Sequence, residues 1–399
     1  MDPEDNVIGA RLRVLRGRKP LAVIAGQAGI TPSHLSMLER GQRHLLNRRL
    51  IGALADALRV APSEIVSLPL PPNDSVLNEA KANVAGVENA LSDYRLGEPT
   101  GITPRQWPEL AAELERLDQD FLPRADYVSA AAILPRLIAD LHSTYLAGGK
   151  HKRPALMGLM QCYHAAAYMT TVFGGPGFSQ LAAMHAQSVA DALSGPEWDG
   201  LAAFFRAQAS GGAVRPERLS QSLRVANSLQ GELDSSNVAQ VYGMLHLDCA
   251  LSAAAQRRED DMQASLAEAE DVAARLPDVG TFGRLSFGRI NIGIWRASLA
   301  AELGQGGKVV EIARNVHVDP MPVNRQATFY AAIGRALATE RRMTDKAILA
   351  LHRAEKIAPQ RIRPNGGYRA AVAELVTRSK QDALGREIRG MAHRAGVPV

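Results

Sequence analysis

Between positions 33 and 43 the chain gathers Ser33, His34, Ser36 and Met37, followed closely by Arg40 and Arg43. A hydroxyl can donate to or accept from a base edge, an imidazole can read a purine edge or touch phosphate, and a thioether suits a thymine methyl. Guanidinium and ammonium groups around them suit phosphate, and Arg18, Lys19, Arg40, Arg43 and Arg48 are the candidates. Residues 7–60 hold ten Lys or Arg against two Asp or Glu, whereas residues 71–399 hold 36 against 35. A compact basic unit on a near-neutral body is the charge layout of a protein that binds double-stranded DNA. No Arg, Asn or Gln stands at the four reading positions, so one copy should discriminate modestly. Two copies on a palindrome would supply the rest, which predicts a homodimer.

Those side chains need a scaffold. Hydrophobic spacing predicts five short helices, over about 7–17, 21–28, 32–39, 48–58 and 62–67. Gly29 suits the left-handed geometry that ends the second helix, Thr31 can cap the third, and Pro32 fits its first turn. Leu12, Leu15, Ile24, Ala25, Ala28, Ile30, Leu35, Leu38, Leu50, Leu54, Ala57 and Leu58 form a candidate miniature core. With Leu35 and Leu38 pointing inward, Ser33, His34, Ser36 and Met37 face out. Prolines at 69, 71 and 72 then remove amide donors and stop any helix, which places a domain boundary there.

Positions 7–68 resemble the helix-turn-helix domain of the Xre/Cro family of repressors. The resemblance is carried by Ile24-Ala25, Ala28-Gly29-Ile30-Thr31, Leu35-Ser36, Leu38-Glu39-Arg40-Gly41, and the downstream Leu54, Ala55, Ala57, Leu58, Val60, Pro62 and Ile65. It implies a five-helix, lambda-repressor-like domain whose third helix enters the major groove. The family commonly has Gln at the start of its second helix as a phosphate clamp, preceded by Thr or Ser; here Pro20 and Leu21 stand in those places. Other groups must then position the DNA backbone.

Beyond residue 76 the pattern is helical, punctuated by Gly and Pro. Helix pairs are expected to begin near 155, 196, 237, 282, 324 and 366, at intervals of 41, 41, 45, 42 and 42 residues. Such a period indicates a solenoid of helical hairpins. The predicted layout is all-α: a helix-turn-helix domain over 1–68, a proline-rich linker over 69–75, a helical connector over 76–150, and a repeat domain over 151–399 for sensing and dimerisation. On the repeat surface Asn291 and Trp295 stand four apart on one helix, with Arg325 and Tyr330 on the next pair, a set that could hold a peptide or a polar small molecule. A structural asparagine bonded across helices and a core tryptophan are the alternative for the first two. Residues 150–395 resemble the tetratricopeptide-like body of actinobacterial Xre-type regulators, through Phe287-Gly288, Asn291, Glu302-Leu303-Gly304, Asp319-Pro320, Arg325 and Ala354-Glu355-Lys356-Ile357-Ala358-Pro359. More distantly, the architecture is similar to the peptide-pheromone-sensing regulators of Gram-positive bacteria. That likeness implies a right-handed TPR-like α-solenoid whose inner asparagine holds a peptide backbone, Asn291 being the matching candidate.

Other chemistry finds little support. His246 and Cys249 are three apart, and a lone His/Cys pair is too little for a closed metal site. The Gly174–Gly177 and Gly304–Gly307 runs lack the lysine of a phosphate loop and read as turns. No nucleophile, base and orienting group assemble, so neither catalysis, metal nor cofactor is expected. Two cysteines, an acidic N-terminus and no long apolar run point to a cytoplasmic protein without a membrane span. The function expected is ligand-responsive transcriptional regulation; a constitutive DNA binder with a protein-docking solenoid is the alternative.

Overall fold

The computed structural model describes residues 7–43, 48–60, 64–65, 74–175, 177–209, 216–379 and 385–397. Among the described residues, the N-terminal unit holds α1 (Val7–Arg16), α2 (Leu21–Gln27), α3 (Pro32–Glu39) and α4 (Arg48–Leu58). The turn between α2 and α3 forms as its residues demand. Gly29 lies at φ +66°, Ile30 N–H closes the α2 end on the Ala25 carbonyl at 3.0 Å, and the Thr31 hydroxyl accepts from His34 N–H at 3.1 Å. Leu12, Ile24, Ala25, Ala28, Leu35, Leu38, Leu54, Leu58 and Ile65 fill a separate small core. Of the expected fifth helix only the helical residues 64–65 are described, and most of the proline-rich linker lies outside the described residues.

A second core runs without interruption from Leu77 to Val397. It begins with α5 (Ser75–Asp93), α6 (Trp107–Arg116) and α7 (Tyr127–Ala147), where Asp74 and Asp126 cap α5 and α7. Helix pairs follow: α8 (Lys152–Phe173) with α9 (Phe178–Leu193), α10 (Pro196–Ala209) with α11 (Pro216–Leu229), and α12 (Ser236–Ala255) with α13 (Glu259–Ala273). Then come α14 (Arg289–Glu302) with α15 (Gly306–Asn315), α16 (Val323–Ala338) with α17 (Thr344–Ile357), the short α18 (Pro359–Ile362), and α19 (Gly366–Ser379) with α20 (Gly385–Ala395). The first helix of each pair packs on the first helix of the next, so α8, α10, α12, α14, α16 and α19 form one continuous layer. This is an all-α chain with a helix-pair-repeat body of the α-solenoid kind.

The fourth pair departs from the expected start at 282. Phe282–Arg284 is a single 3-10 turn, and Arg284, Ser286 and Gly288 have positive φ, so the helix begins only at Arg289. Close packing explains the detour: Phe287 is fully buried against Gly243, where a Cβ would fall 2.0 Å from its ring.

One feature departs from a simple stack. After α6 the chain makes a π-helical turn over Leu117–Phe121 and reaches α7 through residues 122–126. This strap is held by side chains from distant pairs. Arg284 meets the Asp118 carboxylate at 3.1 Å and donates to the Leu117 carbonyl at 3.4 Å. Asn324 donates through its side chain to the Leu122 carbonyl at 3.1 Å and through its backbone to the Pro123 carbonyl at 3.0 Å. The Gln360 amide oxygen accepts from Tyr127 N–H at 2.7 Å and Val128 N–H at 3.1 Å.

Candidate nucleic-acid interface

Leu35 and Leu38 are buried and fix the rotation of α3. Ser33 is then exposed, and His34, Ser36 and Met37 are half-buried along the outward edge. Burial and the nearby Arg43 charge hold the His34 imidazole below its ordinary range, so it presents one donor and one acceptor at neutral pH. Arg43 and Arg40 are exposed where the chain leaves α3. Arg40 Nε donates to the Ser36 carbonyl at 3.2 Å, which holds its guanidinium against the helix end. Arg18 is exposed, while Lys19 Nζ donates to the Leu58 carbonyl at 3.3 Å and also serves to tie the α1–α2 turn to α4. The Arg48 side chain lies outside the described residues. Pro20 caps α2 without a side-chain hydrogen bond and Leu21 is half-buried, so neither supplies a phosphate clamp.

Sequence reasoning missed what fixes the tilt of α3. The Arg16 guanidinium forms a two-pronged pair with Glu39, Nε to Oε1 at 2.6 Å and Nη2 to Oε2 at 2.8 Å. Its Nη1 also donates to the Lys19 carbonyl at 2.9 Å, so one side chain joins α1, the α1–α2 turn and α3. The signal was present: Glu39 follows Leu35 by four residues, an acid in an inward register, and such a group needs a partner.

The match to known proteins agrees with this geometry. Residues 7–68 match a family model described as a helix-turn-helix domain. The N-terminal unit is a helix-turn-helix domain. No curated protein matches the chain, and no solved structure does. A helix-turn-helix domain supports a DNA-binding regulatory role.

In the body, the residues singled out for a ligand are placed unequally. Asn291 is fully buried; its amide donates to the Leu285 carbonyl at 3.2 Å and toward Met244 Sδ at 3.7 Å, and its oxygen accepts from Arg325. Every atom it offers is thus engaged within the protein. Trp295 is buried and its Nε1 has no partner among the described residues. Tyr330 lies apart under Arg353, whose guanidinium stands 4.2 Å from the ring centroid. The structure therefore joins Asn291 with Arg325 and leaves Trp295 and Tyr330 outside that contact.

The remaining polar groups serve packing. His142 Nε2 meets the Tyr163 hydroxyl at 2.6 Å in the core, His246 packs on the Tyr242 ring at 4.4 Å, and both cysteines are buried. Burial pushes the Cys162 thiol well up, which removes its nucleophilic form. Among the described residues no cluster of three His, Cys, Asp or Glu is placed to hold a metal ion. No described helix is long and apolar enough to cross a membrane.

Proposed function

We propose that this chain is a sequence-specific DNA-binding transcriptional regulator whose TPR-like body senses a peptide or small molecule. The observation that carries the reading is the outward edge of α3 in a matched helix-turn-helix domain: Ser33, His34, Ser36 and Met37 stand clear of the core with Arg40 and Arg43 at the exit. In this reading α3 enters the major groove, its four outward side chains meet base edges, and Arg18, Lys19, Arg40, Arg43 and Arg48 meet phosphates. Without a clamp at Leu21, the α3 exit must carry much of the positioning. A homodimer would place two such helices roughly 34–36 Å apart on a palindromic operator. The repeat body would bias that spacing according to what it binds.

Selection of bound duplexes from a random pool tests the reading. A palindromic motif should emerge from the full-length protein. Met37→Arg should change the preferred base at its contact, whereas Arg43→Ala should weaken all sequences alike and lower the salt slope by about one. Failure to prefer any duplex over the random pool at low salt would overturn it.

A further inference from the structure

The body matches many of its inward arginines with carboxylates. Arg284 faces Asp118 at 3.1 Å, Arg335 faces Glu302 at 3.9 Å, and Arg363 and Arg394 share Glu355 at 2.9 and 2.7 Å. Arg325 and Arg361 break this rule. Arg361 donates through Nε to the Thr328 hydroxyl at 3.2 Å and through Nη1 to the Tyr127 hydroxyl at 3.3 Å, and it lies 4.6 Å from the centroid of the Tyr168 ring. Arg325 donates to Asn291, and its Nε is buried with no partner among the described residues. All of these neighbours are neutral. Burial keeps the Tyr127 phenol protonated by raising it well above its ordinary value.

Two permanent cations thus stand near each other in the body, with no carboxylate in an ion pair with either among the described residues. Burial and the Arg361 charge together push the Arg325 guanidinium down to about 10, a measure of how poorly its charge is compensated. Uncompensated buried charge of this kind costs several kcal/mol in general terms and persists only where something offsets it. Yet Arg325, Arg361, Tyr168 and Thr328 are only half-buried: each keeps accessible surface on the way in.

We propose that Arg325 and Arg361 form an oxyanion site, which takes the carboxylate or phosphate group of a small ligand. The planar guanidinium forks are suited to two-point recognition of either group, and the Arg325 Nε has no hydrogen-bond partner among the described residues. The Tyr168 face holds Arg361 in place. Asn291 acts here as a positioning residue, since it orients Arg325 from behind while fully buried itself. This deepens the sensing reading above and depends on it only for the link to DNA.

Thermal unfolding of the full-length protein, followed by tryptophan fluorescence, tests the site with inorganic phosphate and acetate as separate probes against chloride at matched ionic strength. Phosphate or acetate should raise the midpoint saturably beyond chloride, and the probe with the lower half-saturating concentration identifies which oxyanion is preferred. Arg325→Met should raise that concentration at least tenfold. Arg325→Lys keeps the charge without the fork; it should retain a saturable but weaker response, and it decides the matter if Arg325→Met does not fold. Equal responses to all three anions in the wild type, or an unchanged response in both variants, would overturn the site. An anion response with no change in affinity for a selected duplex would leave the site standing and remove the sensing reading. A duplex affinity that shifts with cell extract in the absence of any anion response would do the reverse.

Discussion

Replacing Arg16 by Met asks whether one ion pair holds α3 in place. Glu39 has 6 % of its side chain exposed and Arg16 has 16 %, so the pair is shielded on the acidic side and partly wetted on the basic side. Breaking a fully buried pair by deleting one partner costs about 3–5 kcal/mol. Water that reaches Glu39 through the vacated Arg16 position lowers this, and about 2 kcal/mol is the expected loss. The hydrogen bond from Arg16 to the Lys19 carbonyl disappears with it. Hydrogen exchange on the full-length protein reads the effect locally: at about 1.4 kcal/mol per factor of ten, protection at the α3 amides should fall by about thirtyfold, while the α12 amides should not change. The double change Arg16→Met with Glu39→Met removes the stranded carboxylate and should recover about 1 kcal/mol or more. Unchanged α3 protection in the single variant, or a double variant as weak as the single, would refute the reasoning.

Further expectations concern stability. Burial first, and the His185 charge second, hold the His142 imidazole down to about 4. The denatured chain takes that proton first, so the contribution is whole above pH 6.5 and is lost as pH falls from about 6.5 to about 4, on the order of 3 kcal/mol. His142→Asn should flatten that part of the melting-temperature profile even if it lowers the whole curve. Gly243→Ala would put a Cβ 2.0 Å from the Phe287 ring and should cost about 1–3 kcal/mol in urea unfolding, with partial relief from a second change, Phe287→Leu. Arg59 closes α4 at φ +62° with Val60 N–H on the Ala55 carbonyl at 3.0 Å, so Arg59→Gly should stabilise the helix-turn-helix domain by about 0.5–1 kcal/mol in exchange measurements.

Local rules were enough for much of this fold. The α2–α3 turn follows from Gly29, Thr31 and Pro32, and each acts over a few residues. The expected pair starts at 155, 196, 237, 324 and 366 lie within three residues of Lys152, Pro196, Ser236, Val323 and Gly366, because Gly and Pro mark those turns in the sequence itself. The failure at 282 has a non-local cause: residues 282–288 bend to seat Phe287 on Gly243, a contact across 44 positions that no helical period records. Glu39 and Arg16, 23 residues apart, were individually legible and jointly invisible. Asn291 shows the same limit, since its type and spacing suited a ligand while its neighbours Leu285, Met244 and Arg325 come from three different stretches of chain.

The strap through residues 117–128 changes the mechanics of the body. In a plain stack each unit touches only its neighbours, so either end can fray while the middle stays intact. Here the Gln360 and Arg361 side chains clasp the beginning of α7, over 230 residues earlier in the chain. A spring becomes a hoop: stretching one arc loads the clasp on the far side, and the hoop tends to open as a unit. A molecule that loosened the clasp would restore the spring.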